Sequence, residues 1–91
     1  MRVRLTLQAQ ADLRAQIDWL TERSPRAAEK ATHRIFNALS LLGDFPHSGP
    51  SIGGRRREKL VEFGRSGFIL RYELLPGEVL VTAILHGSQA R

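Results

Sequence analysis

Residues 68–86 read FILRYELLPGEVLVTAILH, and this stretch decides the fold. Two runs rich in aliphatic and aromatic residues, 68–74 and 79–86, flank Leu75-Pro76-Gly77-Glu78, and a central Pro-Gly pair is typical of a type II turn between strands. If Leu75 lies opposite Glu78, strict alternation predicts one apolar face that receives helices and one mixed face. The apolar face would hold Phe68, Leu70, Tyr72, Leu74, Val79, Val81, Ala83 and Leu85. The mixed face would hold Ile69, Arg71, Glu73, Leu80, Thr82, Ile84 and His86.

Upstream of this hairpin, the apolar spacing predicts two helices. Apolar residues recur with a helical period over about 8–23 and again over about 25–42. Ser24 suits an N-cap and Pro25 the first helical position, while Gly43 is a plausible stop. Because only a few residues join them, the helices should form an antiparallel hairpin.

The remaining segments complete one α+β domain over residues 1–91. Residues 1–7 alternate and predict a strand, and residues 59–63 predict another short one. Residues 44–57 hold two prolines and three glycines without periodicity, which indicates a long loop. The predicted order is β-α-α-β-β-β, an antiparallel sheet with the N-terminal helical hairpin packed on one face.

Composition excludes several kinds of site. The 91 residues include no cysteine, which rules out disulfides, cysteine zinc sites and thiol nucleophiles. The three histidines lack metal-ligand spacing, and the glycines of residues 49–54 precede a strand and not the helix that a phosphate loop needs. We expect no metal and no cofactor. The N-terminus lacks the apolar run of a secretory signal, and no segment approaches a membrane span of ~20 apolar residues, so we expect a cytoplasmic protein.

The net charge is +5, and the basic residues are densest in one cluster within residues 55–59. This cluster could contact an acidic protein surface or DNA phosphates, or it could be a solvated loop. Trp19 could anchor a partner's helix or lie at the edge of the core. We expect Asp12 to be a charged residue on the helix surface and not a catalytic acid. The residues of the basic cluster are Arg55, Arg56, Arg57 and Lys59.

Five segments, in this order, resemble the RelE/ParE superfamily of bacterial toxins. AQADLRAQIDW (9–19) is similar to the first helix of that family, with its Asp-Leu pair, and PRAA (25–28) to the start of the second. LLGDFPHSG (41–49) resembles the exit from the second helix. FILRY (68–72) and VTAILH (81–86) resemble the last two strands, which end in Tyr and His. The resemblance spans nearly the whole chain and implies the same fold.

The superfamily has an mRNA-cleaving RelE-like branch and a gyrase-poisoning ParE-like branch. Nucleases of the first branch place arginines where this chain has Ile69 and Gly87, and no tyrosine follows His86 here. A ribonuclease would have to use His86, Arg71 and Glu73. If these residues are structural and not catalytic, His86 caps a strand end, and Arg71 and Glu73 form an ion pair. The resemblance therefore implies a ParE-like toxin of a type II toxin–antitoxin system that inhibits DNA gyrase without catalysis of its own. The alternatives are a ribosome-dependent mRNA endonuclease and a non-toxic corepressor.

The resemblance also implies partners. We expect a ParD-like antitoxin with a ribbon-helix-helix part, DNA gyrase as the target, and contact with operator DNA only through the antitoxin. Candidate antitoxin-binding residues are Leu13, Ile17, Trp19, Leu80 and Ile84. Candidate target-binding residues are Arg55, Arg56, Arg57, Lys59, Arg71 and His86.

Overall fold

The computed structural model describes residues 1–88, and in that range two helices are followed by most of a single sheet. The α+β class and the helical hairpin are confirmed, and the predicted loop contains one additional short strand, β2. The elements are β1 (Arg2–Leu5), α1 (Leu7–Arg23), α2 (Pro25–Asp44), β2 (Ser51–Gly53), β3 (Arg56–Val61), β4 (Phe68–Leu75) and β5 (Glu78–His86).

The sheet is mixed, with strand order β1-β5-β4-β3-β2. The strands from β2 to β5 pair antiparallel, whereas β1 runs parallel to β5. The prediction of a wholly antiparallel sheet was wrong at this edge. Strands β1 and β5 are separated in sequence by both helices and the other three strands. No short hairpin joins them, so they need not be antiparallel.

Side-chain caps define the starts of both helices. Thr6 Oγ1 accepts the N–H of Ala9, and Ser24 Oγ accepts the N–H of Ala27, each at 3.1 Å. The predicted stop at Gly43 was wrong, because α2 continues to Asp44. The Met1 amino group donates to the Gly43 carbonyl, and a Cβ at Gly43 would lie only 2.8 Å from the Met1 carbonyl oxygen. Glycine is needed there for the close approach of the N-terminus.

The core lies between the two helices and one face of the sheet. Helix α2 supplies most of the helical side of the core, and Ala9 of α1 is also buried. Burying these apolar side chains is the main favourable term in folding. The buried cluster comprises Ala9, Ala31, Ile35, Leu39, Leu42, Val61, Phe68, Leu70, Tyr72, Val79, Val81 and Ile84.

The hairpin between β4 and β5 begins in the predicted register. Leu75 lies opposite Glu78, and Gly77 has a φ of +73°. That left-handed conformation is required at the third position of a type II turn, where glycine carries no Cβ penalty.

A β-bulge then interrupts the same ladder. Tyr72 lies opposite Val81, but Arg71 lies opposite Ala83, so Thr82 is an extra residue in β5. A residue inserted in one strand reverses the alternation of every side chain beyond it.

The predicted faces were therefore wrong for the end of β5. Ile84 is 1% exposed in the core, and His86, which lies opposite Phe68, is on the helix-covered face. Ala83 and Leu85 lie on the sheet face that the helices leave uncovered, called here the open face. Strict alternation fails because it assumes that no residue is inserted.

Candidate functional site

Side chains of α1, of its N-cap residue and of β5 itself form hydrogen bonds at the bulge. Asp12 Oδ2 accepts the N–H of Ile84 at 3.0 Å, Thr6 Oγ1 donates to the Thr82 carbonyl, and Thr82 Oγ1 donates to the Arg71 carbonyl. Asp12 is half-buried, so the expectation of a plain helix-surface charge was wrong. Its carboxylate satisfies a backbone donor that the bulge removes from the ladder.

On the open face, Arg71 forms an ion pair with Glu58 of the neighbouring strand. Its Nε and Nη2 atoms donate to Glu58 Oε2 at 2.9 and 2.7 Å. The expected pair of Arg71 with Glu73 was wrong, because Glu58 lies directly across from Arg71. Directly opposed residues in an antiparallel pair are closer than residues two apart along one strand. The Arg71 guanidinium is thereby held against β3.

His86 lies on the other side of the sheet from Arg71 and Glu73. Its ring packs edge-on to Phe68, with centroids 6.2 Å apart. Its Nδ1 atom is 2.7 Å from Ser88 Oγ, a local hydrogen bond at the strand end. The structure therefore does not bring together the three residues that a ribonuclease site would need.

Gly87 has a packing role that the sequence did not reveal. Its N–H donates to the Gly67 carbonyl at 2.9 Å, and a Cβ at Gly87 would collide with the Ser66 carbonyl oxygen. The arginine that nuclease members of the superfamily carry here would need the turn between β3 and β4 to move.

The Tyr72 hydroxyl is used inside the fold. It donates to the Pro46 carbonyl at 2.7 Å and accepts the Gly49 N–H at 3.0 Å. Tyr72 is fully buried, and these two bonds tie the loop between α2 and β2 to the sheet. The strand tyrosine of the FILRY segment is therefore a structural residue.

The predicted basic cluster divides into parts with different environments. Arg57 Nη1 donates to the Gly49 carbonyl at 2.8 Å, so Arg57 also fastens the loop. Lys59 is half-buried opposite Leu70 and points to the helix-covered side. Arg55 and Arg56 are exposed at the tip of the β2–β3 hairpin. These two arginines are the members of the cluster best placed to meet a target.

The helical candidates also fall in two places. Leu13 and Ile17 are half-buried and line a groove between α1 and α2, together with Phe36. Phe36 is 55% exposed and borders a second cavity beside β1. Phe36 is not among the candidate residues of the sequence analysis, which missed this surface. The available signal was its position next to Ile35, outside the helical spacing of the buried residues of α2.

Trp19 lies apart from that groove, next to His86. It is 56% exposed, so it is not a core residue, and the Arg23 guanidinium lies 3.7 Å from its ring centroid. Leu80 is half-buried on the open face. Ile84 was predicted to share that face, but the bulge buries it, so it is not accessible to a partner.

One ion pair at the edge of the sheet shifts the pKa of its partners. Arg4 Nη2 lies 2.9 Å from Glu78 Oε1, and this ion pair links β1 to β5. The hydrogen bond from Arg4 lowers the pKa of the Glu78 carboxyl and raises the pKa of the Arg4 guanidinium.

Residues 1–88 contain neither a candidate metal cluster nor a candidate membrane-spanning helix. No group of three or more His, Cys, Asp or Glu side chains in this range could hold a metal ion. No helix in the same range is long and apolar enough to cross a membrane.

Comparisons with known proteins agree with the fold. Residues 3–91 match the family described as ParE toxin of type II toxin-antitoxin system, parDE. Toxin RelE1 of Caulobacter vibrioides is 39% identical over 98% of this chain and 96% of its own, and Toxin RelE3 is 32% identical over 98% and 97%. A structure titled "Chromosomal ParDE TA system from P. aeruginosa" superposes with a TM-score of 0.76 at 24% identity, covering 94% of this chain and 95% of that one. The chain belongs to the ParE family of type II toxin–antitoxin toxins.

Proposed function

We propose that this toxin acts by inhibiting DNA gyrase, that it does so without cleaving mRNA, and that a cognate ParD-like antitoxin neutralises it. The observation that carries the proposal is the division of the acid–base residues between two faces of the sheet. Arg71 and Glu73 lie on the open face, while His86 lies opposite Phe68 on the helix-covered face and lines a cavity with Trp19 of α1.

This separation bears directly on the chemistry. Metal-free RNA cleavage needs a proton acceptor, a proton donor and cations around one phosphate. A five-stranded sheet stands between His86 and Arg71, and Arg71 is already paired with Glu58 at 2.7 Å. The packing of Gly87 against Ser66 further disfavours an arginine beside His86.

The exposed arginines suggest how a protein target would be met. Arg55 and Arg56 project from the β2–β3 hairpin, and neither is used to fasten the loop as Arg57 is. We propose that these two cations contact an acidic surface of the gyrase complex. Such rim charges chiefly raise the rate and specificity of association.

A second function is supported by the names of the relatives. Proteins named RelE toxins are 39% and 32% identical to this chain over nearly its whole length. A ribosome-dependent mRNA endonuclease therefore remains the alternative. It would have to use groups other than a joint His86–Arg71–Glu73 site.

The test is inducible expression of the chain in bacteria that lack the antitoxin. Growth, a DNA-damage reporter and mRNA integrity are followed together after induction. We expect growth arrest with a damage response and intact mRNA. Cleaved mRNA with an undamaged chromosome would overturn gyrase inhibition in favour of the nuclease, and normal growth would indicate a non-toxic corepressor.

A further inference from the structure

A pocket lies where the end of α1 meets the end of β5 and the turn between β3 and β4. It consists of two adjoining cavities of about 460 and 240 Å³. Both are lined by Gln16, Trp19 and His86, so we call the combined space the Trp19 pocket. Its volume is in the range typical of sites that enclose a ligand group.

The walls of the pocket are apolar and its aromatic rim is held in place. Leu20, Phe63 and Phe68 contribute to the smaller cavity. The Arg23 guanidinium stacks 3.7 Å from the Trp19 ring centroid, and Arg23 Nη1 also donates to the Trp19 carbonyl at 2.9 Å. A large aromatic ring fixed in this way offers contact area without a further loss of conformational entropy on binding.

The charged side chain that lines the pocket is basic. The described residues that line the two cavities include Arg65 but no aspartate or glutamate. Arg23 adds a second guanidinium against the indole, and its Nη1 atom also lies 3.8 Å from Glu22 Oε2. An apolar group carried on an acidic segment therefore complements the site in both shape and charge.

We propose that the Trp19 pocket receives a large apolar side chain from an acidic segment of the antitoxin. The inference rests on the proposed function, because it takes the antitoxin as the partner. It assigns Trp19 to a site separate from the Leu13–Ile17 groove, with His86 as a wall of that site and not as a catalytic base.

The arrangement of cations favours a protein segment over a nucleic-acid strand. A strand is bound by a track of cations with stacking platforms. The exposed cations of the β2–β3 hairpin lie at the other end of β3 from Arg65, roughly 17 Å away along the strand. Glu58 and Glu62 interrupt the basic residues that lie between them in sequence.

The experiment is a calorimetric titration of the toxin with the purified protein encoded by the adjacent reading frame. Trp19→Ala and Arg65→Glu test the pocket. Phe45→Ala and Arg55→Glu are the matched controls, since Phe45 is 61% exposed at the end of α2 and Arg55 is exposed on the distant hairpin. We expect Trp19→Ala to weaken binding roughly 30-fold or more, as for a hot-spot aromatic, and Arg65→Glu to weaken it about 10-fold. The controls should stay within about 3-fold of wild type.

Each other outcome overturns the inference. Wild-type affinity in Trp19→Ala, with the fold retained by circular dichroism, would show that the antitoxin binds elsewhere, while leaving the toxin–antitoxin assignment intact. Absence of binding by the wild-type chain would overturn the antitoxin partner as well. Quenching of Trp19, the only tryptophan of the chain, by a 20-nucleotide oligothymidylate, with antitoxin binding unaffected by Trp19→Ala, would assign the pocket to nucleic acid.

Discussion

Asp12 Oδ2 accepts the backbone N–H of Ile84 at 3.0 Å, and this bond joins the middle of α1 to β5 just beyond the bulge. The bond lies where the alternation of side chains in the last strand has just been reversed. With the bulge in place, Ile84 is in the core and Leu85 is on the open face. The Asp-Leu pair that resembles the toxin superfamily at the first helix therefore has a structural explanation in this chain.

Replacing Asp12 should destabilise the fold. Asp12→Ala leaves the Ile84 N–H without its acceptor in a partly buried position, which should cost about 1–3 kcal/mol of unfolding free energy. Urea unfolding measures the loss. Asp18→Ala is the control, because Asp18 is exposed on the same helix and should change stability by less than about 0.5 kcal/mol. Equal losses in the two variants would contradict the anchoring role of Asp12.

An arginine at Gly87 should not restore nuclease chemistry. Gly87→Arg forces the turn at Ser66 to move, and overpacking of this kind typically costs about 1–3 kcal/mol. We expect a lower Tm and no gain in mRNA cleavage. Ser88→Arg places the same charge one residue later, at an exposed position, and should be tolerated. A stable Gly87→Arg variant that cleaves mRNA would contradict the packing explanation.

The two exposed hairpin arginines should affect toxicity but not folding. The double variant Arg55→Gln/Arg56→Gln removes two charges from the toxin surface that is proposed to contact the target. It should therefore need about 10-fold more inducer, or more, for the same growth inhibition. Its Tm should match wild type. Arg57→Gln provides the contrast, because loss of its bond to the Gly49 carbonyl should lower the Tm. Full toxicity of the double variant at equal expression would remove the hairpin from the target interface.

Stability should decrease in acid partly through Glu78. The hydrogen bond from Arg4 lowers the pKa of the folded-state carboxyl from its ordinary value of 4.5. The stabilisation is therefore present above pH 4.5 and is lost as the pH falls through the lowered folded-state pKa. Unfolding of wild type and Glu78→Gln at several pH values checks this. The two curves should converge in acid, and a constant gap at all pH values would exclude the ion pair as the cause.

Most elements of the fold, β2 excepted, were predictable because their signals are local. Ser24 and Pro25 marked the start of α2, and Pro76-Gly77 marked the turn whose Gly77 has a positive φ. The bulge at Thr82 had no such signal. Ala83, Ile84 and Leu85 are all apolar, so either alternation would bury an acceptable side chain. The Asp12 bond that accompanies the observed alternation comes from a helix distant in sequence.

The candidate site was less predictable for the same reason. The partner of Arg71 depends on how β3 aligns with β4, which the periodicity of either strand leaves open. The separation of His86 from Arg71 depends on the inserted residue. What the sequence supported was the family resemblance, and the comparisons confirm it.

The most direct test is a reconstituted assay with purified toxin, DNA gyrase, ATP and supercoiled or relaxed plasmid. A parallel reaction holds the same toxin with mRNA on ribosomes. We predict that the toxin inhibits supercoiling or leaves gyrase-cleaved plasmid unsealed, that the purified antitoxin reverses this, and that the mRNA stays intact. Unaffected gyrase together with cleaved mRNA would contradict the proposal.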